Sequence, residues 1–437
     1  MISPETFARY AAMRVPRYTS YPTAPQFSPQ VDSGQYRSWL RRVPSEVPIS
    51  IYLHVPFCRE MCWYCGCHTS VTRRWAPIDR YMSTLGTEIE RVASELRSRF
   101  SVGHVHFGGG TPTLLTPERI EAISVQLRET FTLGASSEIA IEIDPRALTS
   151  PMAEALARAQ INRASLGVQT FDPTVQAAIN RFQSFAVVAD AVHLLRRSGI
   201  QRINFDLLYG LPFQTVKSCL ETLRQALELR PDRLAVFGYA HVPNFKPHQR
   251  KIDERTLPNV RQRQEQFSAM AEVLARESYV QIGLDHFARR TDALAEAAAN
   301  GKLHRNFQGY TVDGCQYLLG FGASAIGRLP DGYVQNATRI ADYERRISDG
   351  ELGVVRGTKL SQDDRRRASI IEQLMCDYRA DAACVDVSLD QLEEDGLIRR
   401  QGSIVEVTDE ARPLVRVIAA AFDAYLPKFA ATHAVAV

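Results

Sequence analysis

The sequence lacks most of the features that would place it in a special class. No run of about 18 apolar residues occurs, so no membrane-spanning helix and no membrane partner is expected. An excess of one charge is missing too: Lys+Arg number 52 and Asp+Glu 49, a net of +3. That balance excludes a chain that grips nucleic acid by bulk charge, and no nucleic-acid partner is expected. The opening MISPETFARYAAMRVPRYTS has no basic flank leading into an apolar core, so a cytoplasmic location is expected rather than secretion. Internal repeats and low-complexity tracts are absent. Cysteine is sparse, 8 in 437 residues, too few for a disulfide scaffold. What remains is 45% apolar and 23% charged residues, an ordinary globular composition, in a length that suggests two or three domains.

The few cysteines are unevenly placed. Cys219, Cys315, Cys376 and Cys384 are scattered and read as small buried hydrophobes. Cys58, Cys62, Cys65 and Cys67 sit together, and chance would give a C-x3-C-x2-C spacing only about 0.003 times in such a chain. Three thiolates at this spacing can wrap a soft metal centre from one loop. A structural zinc wants a second ligand pair about a dozen or more residues on, and none follows. An iron–sulfur cluster fits better, and three cysteines for four irons leave one iron open to a ligand.

Between about residues 48 and 290, β-rich runs alternate with helical periods. Strands are predicted at Ile49–Pro56, Gly103–Gly108, Glu138–Asp144, Arg163–Gln169, Arg202–Leu208, Arg233–His241 and Val280–His286. Helices are predicted over Thr116–Phe131, from Ser150-Pro151, and over Phe185–Ser198, Val216–Leu229 and Arg261–Glu277. Thr116-Pro117 gives a cap followed by proline at the first helical position, and Gly199 follows two arginines as a helix stop. Strand–helix repeats imply parallel strands with right-handed crossovers, hence a doubly wound sheet or a full or partial barrel. Either architecture puts functional residues at strand C-terminal ends. Residues 1–47, with Pro16, Pro22, Pro25 and Pro29, read as an irregular arm. Leu389–Tyr425 has a helix–hairpin–helix outline, read as a helical cap on the core rather than a nucleic-acid module, since no basic recognition helix is evident.

Cys58-x3-Cys62-x2-Cys65 with Tyr64, directly after a strand, resembles the radical S-adenosylmethionine (SAM) enzymes. The glycine-rich Phe107-Gly108-Gly109-Gly110-Thr111-Pro112-Thr113 after the next strand is similar to the segment that holds the SAM amino group in that superfamily. Within it, PRYTSYPT at residues 16–23, YLHVPFC at 52–58, IEIDP at 141–145, NRFQ at 180–183, DLLYGLP at 206–212 and HRNFQGY at 304–310 resemble the oxygen-independent coproporphyrinogen III oxidases over almost the whole chain. The resemblance implies an α/β fold: a partial (β/α) barrel of radical-SAM type over residues 48–328, an irregular N-terminal arm over 1–47 and a mainly helical C-terminal domain over 329–437.

The implied activity is anaerobic oxidative decarboxylation of the ring A and ring B propionates of coproporphyrinogen III, giving protoporphyrinogen IX in haem biosynthesis. The implied cofactors are a [4Fe-4S] cluster and two SAM molecules; two SAM are consumed per product, and cleavage gives a 5′-deoxyadenosyl radical that abstracts hydrogen. Cys58, Cys62 and Cys65 would bind the cluster. Tyr52, Gly109, Glu142 and Ile326 would contact the first SAM, with Tyr52 and Glu142 in the catalytic role. Tyr64, Gly110, Thr111, Gln169, Arg181, Asp206 and Ala240 would contact the second. A reduced flavodoxin or ferredoxin-type donor is expected, as is a monomer. Four substrate carboxylates call for arginines, with Arg17, Arg289 and Arg305 as candidates. His54 is a candidate for orienting a group at the cluster loop or for proton transfer, and Cys67 is a thiol without an iron. The alternative is a haem chaperone with a similar cluster motif. That subgroup lacks the C-x-C at Cys65-Gly66-Cys67 and the YTSYPT arm, both present here.

Overall fold

The structure is a computed structural model that describes residues 2–426. Its centre is a sheet of twelve strands: β1 (Ile49–Val55), β2 (Ser101–Gly109), β3 (Thr132–Ile143), β4 (Arg163–Gln169), β5 (Arg202–Tyr209), β6 (Arg233–Gly238), β7 (Tyr279–Ile282), β8 (His286–Arg289), β9 (Tyr317–Phe321), β10 (Ile326–Leu329), β11 (Gly332–Asn336) and β12 (Val354–Lys359). The spatial order is β12-β11-β10-β9-β1-β2-β3-β4-β5-β6-β8-β7. Strands β1 to β6 run parallel to one another and β9 pairs parallel with β1. The edges are antiparallel, and β12 and β7 do not meet. The result is a partial barrel.

Alternation along the strands explains how this sheet makes both a core and a site. In β5, Ile203, Phe205 and Leu207 are buried under the flanking helices, while Asn204 and Asp206 are only partly covered. Ser165 and Gly167 in β4, Glu142 in β3 and His106 in β2 occupy the same partly covered row. One face is apolar and sealed; the other presents polar groups to the concave side.

Most predicted strands and helices between 48 and 290 lie within a few residues of their observed limits; the strand predicted from Glu138 begins at Thr132, and three further differences stand out. A helix over Trp75–Glu95 follows the cluster loop without any side-chain cap bond at Arg74 to mark its start. The single strand predicted at Val280–His286 is a hairpin of β7 and β8, because Gly283 turns the chain at φ +56°. Thr116 stands at the cap position, but its side chain makes no capping bond. Of the scattered cysteines, Cys219 and Cys376 are buried, Cys315 is partly covered and Cys384 is exposed. The last is no core residue, because it lies in the loop that leads to the short helix Asp390–Glu394.

The flanking regions pack in two directions. Val31, Tyr36, Trp39 and Leu40, from the helix Ser33–Leu40 and the turn before it, join the barrel core. Tyr10, Ala11, Val15, Tyr18 and Tyr21 instead join a separate core with residues of 370–422. That C-terminal core contains a three-stranded antiparallel sheet and the helices Gln362–Asp377 and Val415–Ala420. Residues beyond 328 continue the central sheet up to Lys359 through β11 and β12, and we place the start of the C-terminal unit after that strand. Residues 427–437 of the expected C-terminal domain lie outside the described residues. Among the described residues no helix is long and apolar enough to cross a membrane.

Candidate active site at the strand ends

Cys58, Cys62 and Cys65 line one cavity of about 490 Å³ at the C-terminal ends of β1 to β5. Their loop is fixed by its own carbonyls. Asn180 Nδ2 donates to Met61 O at 2.9 Å, Gln249 Nε2 to Tyr64 O at 3.0 Å and Lys246 Nζ to Cys67 O at 2.9 Å. His248 Nε2 lies 2.7 Å from Cys65 O. Loops hide no carbonyl without a donor, so these residues set where the thiols point. Gln249 is wholly buried, and the segment 246–249 carries no motif signal that singles it out in the sequence.

The glycine segment is held against this loop. Gly110 N donates to Val55 O at 2.9 Å and Thr111 N to Phe57 O at 2.8 Å. A Cβ on Gly110 would stand 2.5 Å from Phe57 O, and one on Gly109, whose φ is +116°, would stand 2.7 Å from the His54 ring. Neither position accepts a side chain. Thr111 Oγ1 lies 3.6 Å from Cys58 Sγ.

Glu142 closes the first polar cluster. Its carboxylate accepts from Gly109 N at 3.1 Å and lies 3.1 Å from His106 Nε2. Burial pushes its pKa up, but those two contacts and the His106 charge outweigh burial and hold it below the ordinary value. Tyr52 stacks near His106, with ring centroids 5.9 Å apart, and its hydroxyl is 3.0 Å from His54 Nδ1. His54 Nε2 faces the His68 carbonyl at 2.8 Å, which can only accept, so Nε2 carries the proton and Nδ1 accepts from Tyr52. Burial holds this imidazole below its usual pKa. His54 therefore ties the far end of the cluster loop to β1.

On the opposite wall, Arg181 donates to Gly167 O at 2.6 Å and reaches Asp144 at 3.3 Å and Cys62 Sγ at 3.6 Å. Its Nε is buried without an acceptor, as a group waiting for a ligand would be. Asp206 accepts from Ser165 Oγ and Asn204 Nδ2, each at 3.0 Å. Burial and the nearby Glu142 charge push its carboxyl up to about 6. Gln169 sits at φ +64°, which turns β4 at its end and directs the chain into the cavity wall.

Of the residues expected to contact SAM, Tyr64, Gly109, Gly110, Thr111, Glu142, Gln169, Arg181 and Asp206 line this cavity. Tyr52 stands next to its wall, while Ile326 begins β10 and does not line it. Ala240 lines a second cavity, beyond the end of β6. Arg17 and Arg305 line that second cavity as well. Arg289 does not: its Nε donates to Pro231 O at 3.0 Å and its guanidinium covers the Tyr279 ring.

The residues present fit an iron–sulfur cluster. Three thiols share a cavity beside a backbone that only glycine permits, and an unmatched guanidinium nitrogen lies close by. No three His, Cys, Asp or Glu side chains among the described residues converge on one point as a single tetrahedral ion requires. A cluster makes no such demand, because each of its thiolate ligands binds a different iron.

Comparison with known proteins agrees. Residues 52–226 match the radical SAM superfamily. The oxygen-independent coproporphyrinogen III oxidase of Bradyrhizobium diazoefficiens is 51% identical, covering 98% of both chains. The chain belongs to this family. Its Salmonella typhimurium relative of the same name is 39% identical over 94% of the chain and 93% of its own length. The solved structure of the Escherichia coli coproporphyrinogen III oxidase, a radical SAM enzyme, superposes with a TM-score of 0.89 at 38% identity. It covers 94% of this chain and 98% of its own. As a radical SAM oxidase, the chain is an enzyme whose family implies a [4Fe-4S] cluster and SAM.

Proposed function

We propose that this coproporphyrinogen III oxidase removes the carboxyl groups of the ring A and ring B propionates without oxygen, leaving vinyl groups and protoporphyrinogen IX. The observation that carries the reading is the shared cavity: three cysteines of one loop, a glycine backbone that takes no side chain, and the polar row of β3, β4 and β5 around one space.

When bound, the cluster and SAM supply a carbon-centred radical able to take one hydrogen atom from the propionate β-carbon. The substrate left behind loses carbon dioxide and one electron, and its remaining carbons become the vinyl. The electron leaves to a one-electron acceptor. In this reading Cys58, Cys62 and Cys65 bind iron. Tyr52, Gly109, Glu142 and Ile326 serve a first SAM, with Tyr52 and Glu142 closest to the chemistry. Tyr64, Gly110, Thr111, Gln169, Arg181, Asp206 and Ala240 serve a second. The ionised Glu142 suits an ammonium or ribose hydroxyls, and Arg181 suits a carboxylate, since charge-assisted bonds are the stronger ones. Barrel walls and the N-terminal arm exclude water that would otherwise quench a radical.

The chain acts as a monomer and takes its electron from a reduced flavodoxin or ferredoxin-type donor. Arg59, Arg74 and Lys246 around the cluster loop suit an acidic protein of that kind.

The test is anaerobic turnover of coproporphyrinogen III with SAM, a reductant and cell extract as electron acceptor, followed by mass spectrometry. Loss of two carboxyl groups with formation of 5′-deoxyadenosine, abolished in Cys62→Ser, supports the reading. An intact cluster with tight haem binding and no decarboxylation would replace it by haem delivery.

A further inference from the structure

The second cavity, about 450 Å³, lies between the N-terminal arm, the ends of β5 and β6 and the C-terminal unit. Its wall holds five arginines, Arg14, Arg17, Arg263, Arg305 and Arg416, and one carboxylate, Asp285. One carboxylate offsets only part of the charge of Arg17, Arg263 and Arg305. Asp285 already accepts from His286 Nδ1 at 2.8 Å; burial opposes its charge, but His286 and the guanidinium groups of Arg305 and Arg17 outweigh burial and hold it near 2. Arg416 is pulled down to about 9 by burial and by the charges of Arg17 and Arg305. Its Nε donates to Pro16 O at 2.9 Å and its Nη2 to Val15 O at 2.5 Å, so it anchors the arm that roofs the chamber.

Two guanidinium nitrogens in this wall have no acceptor. Arg263 Nη1 donates to Tyr239 O at 2.8 Å and the group lies over the Tyr209 ring, yet its Nε is shielded from water and unmatched. Arg305 covers the Tyr310 ring and reaches Arg17 O at 3.3 Å through Nε and Nη2, while its Nη1 is equally shielded and unmatched. Like charges held together with spare donors call for an anion, and planar guanidinium groups suit carboxylates. Beside His241 and Asn259, the wall also offers apolar and aromatic surface from Tyr209, Leu257, Phe267, Leu284 and Pro413. A small inorganic anion needs no such surface. A flat apolar body edged with carboxylates does.

The chamber also stands close to the cluster cavity. Tyr209, in its wall, ends β5 three residues after Asp206 of the cluster cavity, roughly 10 Å along the strand. That separation is within the length of a tetrapyrrole. Resting on the coproporphyrinogen reading above, we propose that Arg263, Arg305 and Arg17 bind the propionate carboxylates that are not reacting, and so present one propionate at a time to the cluster cavity. These are positioning residues. They fix which edge of the macrocycle faces the radical, and after the first decarboxylation the product must turn before the second propionate can take that place.

The reconstituted holoenzyme tests this with coproporphyrin III, the stable oxidised form of the substrate, and its tetramethyl ester. The acid should quench in binding titrations, and the ester should bind at least tenfold more weakly. Arg263→Gln should raise Kd for the acid and KM for coproporphyrinogen III by about 10–100-fold, raising KM more than it lowers kcat. Arg224→Gln, an exposed charge paired only with Glu221 and Glu228, should match the wild type. Iron content and cluster absorbance report folding. If Arg263→Gln loses its cluster, Arg305→Gln carries the same comparison. Equal binding of acid and ester, or a folded Arg263→Gln and Arg305→Gln with wild-type KM, would overturn the proposal. Acid binding that depends on Arg263 in an enzyme that never decarboxylates would leave the arginine site standing and remove the coproporphyrinogen reading instead.

Discussion

Asp206 is held by Ser165 and Asn204 within a barrel interior where its charge is costly, which is why its carboxyl is pushed up to about 6. A raised carboxyl binds its proton more tightly in the folded chain than in the unfolded one. Its contribution to stability is therefore complete below about pH 4 and is lost as pH rises through about 6. Asp206→Asn should stabilise the cofactor-free protein by about 1–3 kcal/mol near neutral pH, and hardly at all below about pH 4. Thermal melts at the two pH values check this, and an equal shift at both would contradict it. In the reconstituted enzyme the same variant should weaken SAM binding, because the cofactor's positive charge is what an ionised Asp206 would offset. Glu142 and Asp206 were legible as candidates only through resemblance, since an acidic residue in a strand reads equally well as a solvated one. Two residues that hold the cluster loop, Gln249 and His248, left no trace: a glutamine and a histidine in a 3₁₀ turn look like surface until the carbonyls they meet are known.

At the scale of elements, the glycine strand end and the cluster loop form one unit. Gly110→Ala would drive a methyl group into Phe57 O, which is backbone and cannot swing aside. The variant should fold its C-terminal unit yet retain much less iron, at most about a tenth of wild type, measured per chain after anaerobic reconstitution. The helix Trp75–Glu95 carries a second device. Glu88 is buried and accepts from Gly322 N, Asn336 Nδ2 and Tyr343 Oη, each at 2.7 Å, which pins the loop after β9 to this helix. Burial pushes its carboxyl up to about 7. Glu88→Ala strands three buried donors and should cost about 3 kcal/mol or more, read as a lower midpoint in denaturant. The parallel strands were legible because each carries a short apolar run between helical periods. This helix has the periodicity of Ile78, Tyr81, Met82, Leu85 and Ile89 but no cap, and it follows a loop whose motif draws all the attention. The hairpin of β7 and β8 was hidden because its turn needs only Gly283 and two neighbours, too little to break an apolar run.

At the scale of the whole molecule, the arm joins what the sequence separates. Tyr10, Val15, Tyr18 and Tyr21 lie in the C-terminal core, and Arg416 from that core grips the arm's carbonyls. Composition shows an irregular, proline-rich start but cannot show which core it serves, because that pairing spans some 400 residues of sequence. Removing residues 1–28 should abolish porphyrinogen turnover and leave the cluster bound, since the cysteine loop packs on the barrel alone. The C-terminal unit should unfold at lower temperature, seen as a separate first transition in calorimetry. Unimpaired turnover would show that the arm covers nothing the reaction needs. In the proposed reaction a hydrogen atom leaves the propionate β-carbon within the cluster cavity. Turning over coproporphyrinogen III deuterated at that carbon and weighing the 5′-deoxyadenosine formed follows that atom. One deuterium in the 5′-deoxyadenosine is expected for each carboxyl group lost; unlabelled 5′-deoxyadenosine alongside full decarboxylation would contradict abstraction from that carbon.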